Sequence, residues 1–145
     1  MTAREPQATV SRAVSWASRD GSTRRTVLVA DDEPNLRLLV TATFSSHEIE
    51  VLEAADGDQA WALIEQRRPD LVLLDVHMPG PTGVDLTRSI RAHPQLASMP
   101  VVLLTSKSQD ADVATGMAAG ANLYLTKPFS PLSLLSFVEH TLGLG

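Results

Sequence analysis

Acids, a hydroxyl and an amine recur in this chain, each directly after a short apolar run. Asp31-Asp32-Glu33 follow TVLVA (26–30), Asp75 follows LVLL (71–74), Thr105-Ser106 follow VVLL (101–104), and Thr126-Lys127-Pro128 follow NLYL (122–125). Carboxylates brought together repel; a pair ~4 Å apart costs ~4 kcal/mol at an effective dielectric of ~20. Such a group must take up protons or share its space with a cation. Oxygen ligands, with neither cysteine nor a histidine cluster, suit Mg²⁺ or Mn²⁺ better than zinc. Mg²⁺ keeps several waters and takes one or two carboxylates, which leaves room for phosphate oxygens. Lys127 adds positive charge and Thr105 a hydroxyl donor. Together these are the parts of phosphoryl transfer: metal and amine to neutralise charge, a donor to orient, and a nucleophile in line. Asp75 is the natural nucleophile, because a carboxylate can form an aspartyl phosphate. Read alone, Asp75 would do no more than end a strand and cap a turn.

The chemistry requires these positions to meet, which depends on the elements that carry them. Leu71-Val72-Leu73-Leu74, bounded by the turn residues 79–83 (PGPTG), reads as a strand buried on both faces, although periodicity alone leaves a buried helix open. Asp75 is then its first exposed residue, at the mouth of the fold. Further strands read 26–30, 50–54 (EVLEA), 101–104 and 122–125, so starts fall at 26, 50, 71, 101 and 122. A helix-like stretch separates each from the next. That rhythm predicts an α/β fold, a parallel sheet with helices on both faces. Pro34 suits a first helical turn, and Leu36, Leu39, Val40 and Phe44 form one apolar stripe behind it. Asp56 can cap a second helix bearing Ala60, Leu63 and Ile64, with Trp61 as a partly exposed packing residue. Val84, Leu86 and Ile90 mark a third, ended at His93-Pro94. A fourth spans 110–119, with Val113 and Met117 four apart and Gly120 as its stop. A fifth spans 131–142 and is apolar over more arc than a sheet contact needs. Ligands of an open parallel sheet bind beyond the carboxyl ends of its strands, where the strand order reverses. With the order 2-1-3-4-5, strands one and three are neighbours there, and Asp31, Asp32 and Asp75 converge.

Composition sets the bounds. One hundred and forty-five residues, 43% hydrophobic and 20% charged, suit one globular domain. No segment has the apolar length of a membrane span, and no signal-type apolar region follows the N-terminal arginines. The absence of cysteine excludes disulfides, thiolate metal sites and a thiol nucleophile. Residues 1–25 hold five arginines against Glu5 and Asp20, a surplus of three positive charges; with −5 overall, −8 falls on residues 26–145. An acidic body argues against nucleic acid as the main ligand. Residues 1–25 read as a flexible basic arm in which Trp16 is the one candidate for docking.

Taken in order, VLVADDEP, LVLLDVHMPGPTG, PVVLLTS and GANLYLTKPFSP resemble the receiver domains of two-component response regulators. The similarity runs from about Thr26 to Leu142 and implies that residues 26–145 form a receiver domain. It implies the flavodoxin-like order 2-1-3-4-5 with five helices, and a role for each matching position. Asp75 corresponds to the phospho-acceptor. Asp31 and Asp32 correspond to the acidic pair that holds Mg²⁺, Asp32 as the direct ligand, with the backbone carbonyl of His77 as a further one. Thr105 corresponds to the switch hydroxyl, Lys127 to the family's lysine before a cis proline, and Tyr124 to the aromatic whose rotamer follows the switch. His77 and Lys107 occupy the variable positions that tune phosphate lifetime. Glu33 either adds to the acidic pocket or favours a helix N-terminus, the second being preferred. His47, His93 and His140 read as surface or cap residues.

The function so implied is a cytoplasmic phosphorylation switch, not an enzyme beyond slow self-dephosphorylation. A sensor histidine kinase or a histidine phosphotransfer protein would donate to Asp75. The surface of the fourth helix, fifth strand and fifth helix would then change, engaging a downstream protein target or a second copy. Because the sequence ends as the fifth helix ends, a stand-alone regulator is expected. One rival is a receiver fragment of a longer DNA-binding or enzymatic regulator. The other is an aspartyl-phosphate phosphatase; the haloacid type places a second Asp two residues beyond its nucleophile, where this chain has His77.

Overall fold

The computed structural model describes residues 24–45, 48–106 and 110–144. The arm expected over residues 1–25 therefore lies, up to residue 23 and including Trp16, outside the described residues, as do His47 and the 107–109 stretch with Lys107. Strands and helices alternate: β1 (Arg25–Ala30), α1 (Pro34–Phe44), β2 (Ile49–Ala54), α2 (Gly57–Arg67), β3 (Leu71–Asp75), α3 (Gly83–Ala92), β4 (Val101–Thr105), α4 (Asp110–Ala119), β5 (Leu123–Thr126) and α5 (Pro131–Leu142). All pairings are parallel, in the order β2-β1-β3-β4-β5. The expected fold class is therefore the observed one.

Strand alternation sends side chains to two cores. Leu28, Ala30, Val72, Leu74, Val101 and Leu103 face Ala60, Ile64, Leu86 and Ile90 of α2 and α3. Val27, Val29, Leu71, Leu73, Val102 and Leu104 face Leu36, Val40, Phe44, Leu134 and Val138 of α1 and α5. Every residue of β3 and β4 is buried, because both strands are central and covered on both faces. Each such aliphatic side chain contributes roughly 1.5–3 kcal/mol.

Local chemistry sets the helix ends. Asp56 accepts the Gln59 amide at 2.8 Å, as its place before α2 predicted. Thr82 and Asp85 form a reciprocal capping box at α3, with bonds of 3.1 Å each way. Glu33 precedes α1 but makes no side-chain cap. Trp61 packs half-buried against the first core, as expected. The α1 stripe is narrower than the sequence suggests: Leu36, Val40 and Phe44 are buried, whereas Leu39 is 47% exposed. Three residues at i, i+4 and i+8 already fill the arc that contacts the sheet.

One structural residue carried no local signal. Arg91, at the end of α3, donates to the carbonyls of Gly120 (2.9 Å), Ala97 (3.0 Å) and Met99 (2.6 Å) and to Asn122 Oδ1 (2.9 Å). Burial pulls its pKa down from 12.5, yet the planar fork keeps its charge and ties α3 to the approach into β4 and the turn into β5.

Candidate functional site

Parallel register brings the acids together. Ala30 pairs with Leu74, so the next residues along the two neighbouring strands are Asp31 and Asp75. Leu104 pairs with Asp75, and Thr105 with Thr126, which places Thr105 and Lys127 at the same rim. Asp31, Asp32 and Asp75 each present a carboxylate oxygen within 4.8 Å of the others. Asp32 is exposed, Asp31 is fully buried, and Asp75 is only 4% exposed. Asp75 is thus the last residue of a buried strand and not the first exposed one. Covering comes from β1, β4 and the Lys127 side chain, none of which is adjacent in sequence.

Lys127 links the acids. Its Nζ lies 2.7 Å from Asp31 Oδ2 and 3.3 Å from Asp75 Oδ2. The remaining oxygens are also held: Glu33 N–H donates to Asp31 Oδ1 at 2.9 Å, and His77 N–H donates to Asp75 Oδ1 at 3.0 Å. The Lys127 N–H bonds the Thr105 carbonyl at 2.6 Å, and the Lys127-Pro128 bond is cis, as the resemblance implied.

These contacts set the electrostatics. Burial pushes the Asp75 carboxyl above its ordinary value of 3.8, and the neighbouring Asp31 charge adds to this; the His77 N–H and Lys127 oppose it without cancelling it. For Lys127, burial disfavours the charged form, but the hydrogen bond to Asp31 and the charges of Asp75 and Asp31 outweigh it, so its pKa rises above 10.5. The ammonium is locked on among acids that still carry more negative charge than it offsets.

A hard divalent cation fits this set. The clustered donors are carboxylate oxygens, with no histidine or cysteine side chain among them, and one is exposed on an open rim. Lys127 supplies only one positive charge to three acids, which leaves the electrostatic demand that such an ion would meet.

Two supports escaped the sequence reading. Arg37 Nη1 donates to the Asp31 carbonyl at 2.7 Å while its Nε pairs with Glu53 at 3.1 Å, anchoring the acidic corner to β2. Gly83 opens α3 directly under Asp75, where an added Cβ would lie 2.6 Å from the Asp75 carbonyl oxygen. No local pattern marks Arg37, which lies in α1 while Glu53 lies on β2; the only trace of Gly83 was the PGPTG turn. Gly57 N–H donates to the Pro79 carbonyl at 2.9 Å, which ties the loop after Asp75 to the start of α2. Thr105 is fully buried at the end of β4, and Tyr124 is half-buried on the edge strand β5. The His77 side chain is exposed. His93 ends α3, where its Nδ1 accepts the Gln95 amide at 3.1 Å.

The family model of the response regulator receiver domain matches residues 27–139. The DNA-binding response regulator MtrA of Mycolicibacterium smegmatis is 38% identical over 116 residues, which are 80% of this chain and 50% of MtrA. This chain thus spans about half the length of that relative. Protein PilH of Pseudomonas aeruginosa is 36% identical over 117 residues, 81% of this chain and 97% of PilH. The structure of the chemotaxis response regulator CheY4 of Vibrio cholerae superposes with a TM-score of 0.75 at 34% identity, covering 82% of this chain and 99% of that one.

Proposed function

Since the chain belongs to the receiver-domain family of two-component response regulators, we propose that it is a phosphorylation-controlled switch whose phospho-acceptor is Asp75. Receiver domains are signalling switches that bind Mg²⁺ at an acidic pocket and meet histidine kinases or phosphotransfer proteins. The observation that carries the assignment here is the Lys127 ammonium, held between buried Asp31 at 2.7 Å and buried Asp75 at 3.3 Å at one rim of the sheet.

In the transfer step, an Asp75 carboxylate oxygen bonds to phosphorus as the donor's phosphorus–nitrogen bond breaks, and the imidazole leaves with the electron pair. Asp32, Asp75 and the His77 carbonyl would hold the Mg²⁺, with Asp31 behind them, and the bound ion would neutralise charge on the phosphoryl oxygens. Asp75 meets the donor already oriented, because His77 N–H fixes one oxygen and Lys127 the other. Lys127 then offers its ammonium to the new phosphoryl group, which brings roughly −1.5 to −2 charge. Thr105 donates its hydroxyl from the adjacent strand. The movement of Thr105 and of Tyr124 re-biases the surface of α4, β5 and α5 between two arrangements. That surface contacts a downstream protein or a second copy, and slow self-dephosphorylation resets the switch. A cytoplasmic setting belongs to the same proposal; among the described residues, no helix is long and apolar enough to cross a membrane.

The likeness to PilH over nearly all of PilH supports action by protein contact without an output domain. The likeness to half of MtrA supports the second reading, a receiver that works attached to a DNA-binding domain. The intact mass of the native protein separates the two. Phospho-acceptance is tested by intact-mass measurement after incubation with acetyl phosphate and Mg²⁺. Wild type gains one phosphoryl group; Asp75→Asn and metal-depleted samples do not. Equal labelling of wild type and Asp75→Asn overturns the assignment.

A further inference from the structure

Gly116 lies in the interior of α4, where alanine is the better helix former, and it is buried. A glycine in such a position calls for a packing reason. A Cβ added there would stand 2.9 Å from both Cδ2 and Cε2 of Tyr124 and 2.9 Å from Leu103 Cδ1. Non-bonded carbons settle at about 3.5–4.0 Å, so neither neighbour tolerates it in place. Leu103 and Tyr124 are partners across β4 and β5, and the Tyr124 ring packs on the core to which Leu103 belongs. Thr105, two residues past Leu103, leaves the same face of the sheet. The face that carries Thr105 at the rim thus continues through Leu103 and the Tyr124 ring to the backbone of α4.

We infer that Gly116 is a positioning residue for Tyr124: its missing side chain is the slot in which the ring rests against α4, and it sets how closely α4 lies over β5. The signalling consequence rests on the switch role proposed above for Thr105 and Tyr124; the slot itself is a steric matter. Filling it displaces the ring from α4 with no phosphoryl group on Asp75. Because phenolic movement is what the switch reads out, a methyl group at 116 alters the output surface without touching the phosphorylation chemistry.

Tyr124 is the chain's single tyrosine, so a 3-fluorotyrosine label gives one fluorine resonance from the full chain. In unphosphorylated Gly116→Ala that resonance moves from its wild-type position, and its H₂O/D₂O solvent shift increases at least twofold as the ring leaves the slot. A merely helical role for Gly116 would leave the resonance in place and raise Tm. Thermal melts supply the steric control. Gly116→Ala lowers Tm when Tyr124 is present, and the same change lowers it by less than half as much in a Tyr124→Ala background, where only Leu103 still faces the methyl group. An unmoved resonance with a raised Tm in the Tyr124 background overturns the inference. Beryllofluoride with Mg²⁺ then separates this idea from the switch reading. If the wild-type resonance ignores a bound beryllofluoride while Gly116→Ala still moves it, the slot stands and the switch role of Tyr124 falls. If the wild type responds and Gly116→Ala reproduces its spectra in both states, the slot falls and the switch stands.

Discussion

Neutralising the proposed phospho-acceptor should make the metal-free protein more stable. Asp75 and Asp31 carry oxygens within 4.8 Å, a repulsion of ~3.5 kcal/mol at an effective dielectric of ~20. Lys127 at 3.3 Å returns ~5 kcal/mol on the same scale. Burying the Asp75 carboxylate costs several kcal/mol more, and this is the largest of the opposing effects. The balance is unfavourable to the charge, as the raised pKa of Asp75 also indicates. Asp75→Asn keeps the size and one acceptor, for the His77 N–H, and gives up the acceptor facing Lys127, whose ammonium keeps Asp31. With the charge gone it should stabilise the metal-free protein by ~1–2 kcal/mol. For a chain of this size that is a rise in Tm of roughly 2–8 °C.

The sign with pH follows from linkage. A carboxyl whose pKa is raised on folding favours the fold fully below its ordinary value of 3.8, and that contribution is lost as pH rises through the raised value. The advantage of Asp75→Asn should therefore be full above that raised value and shrink as pH falls through it toward 3.8. Added Mg²⁺ should reverse the ranking. At ~100 times its Kd it should stabilise wild type by ~2.7 kcal/mol, and the variant by less, since one of the proposed ligands has gone. Differential scanning calorimetry in chelator, across pH and with Mg²⁺, measures all three effects. A variant less stable than wild type in chelator, or an advantage that grows on acidification, refutes the reasoning.

Lys127→Met leaves Asp31 and Asp75 unopposed, so at neutral pH it should cost ~3–5 kcal/mol. Adding Asp31→Asn should recover part of this loss; paired denaturant melts check both. Because the Lys127 pKa is raised, its contribution persists below 10.5 and fades as pH climbs through the higher folded value, which an alkaline melt series should show as a wild-type loss absent from Lys127→Met. Arg91→Leu strands the carbonyls of Gly120, Ala97 and Met99 and leaves Asn122 Oδ1 with only the Val101 N–H, so it should destabilise by ~2–4 kcal/mol in urea. Arg91→Lys should recover little of that, because a point charge cannot span four acceptors.

The division between what was legible and what was not follows from range. Apolar runs at βα spacing, Pro34, the Asp56 cap and the ends of α4 and α5 are local, and these elements lie where the spacing put them. Residue type also fixed the chemistry on offer: carboxylates, a hydroxyl and an amine after strands, with no thiol. Which of them meet is a long-range matter. Asp31 and Lys127 are 96 residues apart yet 2.7 Å from each other, because the parallel register of β1, β3, β4 and β5 aligns their carboxyl ends. Sequence pattern alone left that order conditional. It also misjudged Asp75 and Leu39, since burial depends on what a neighbour covers. Arg37, Arg91 and Gly116 were silent for the same reason, and Gly83 showed only as a turn residue: their partners lie on other elements, and only close packing of helices on the sheet turned a common residue type into a required one.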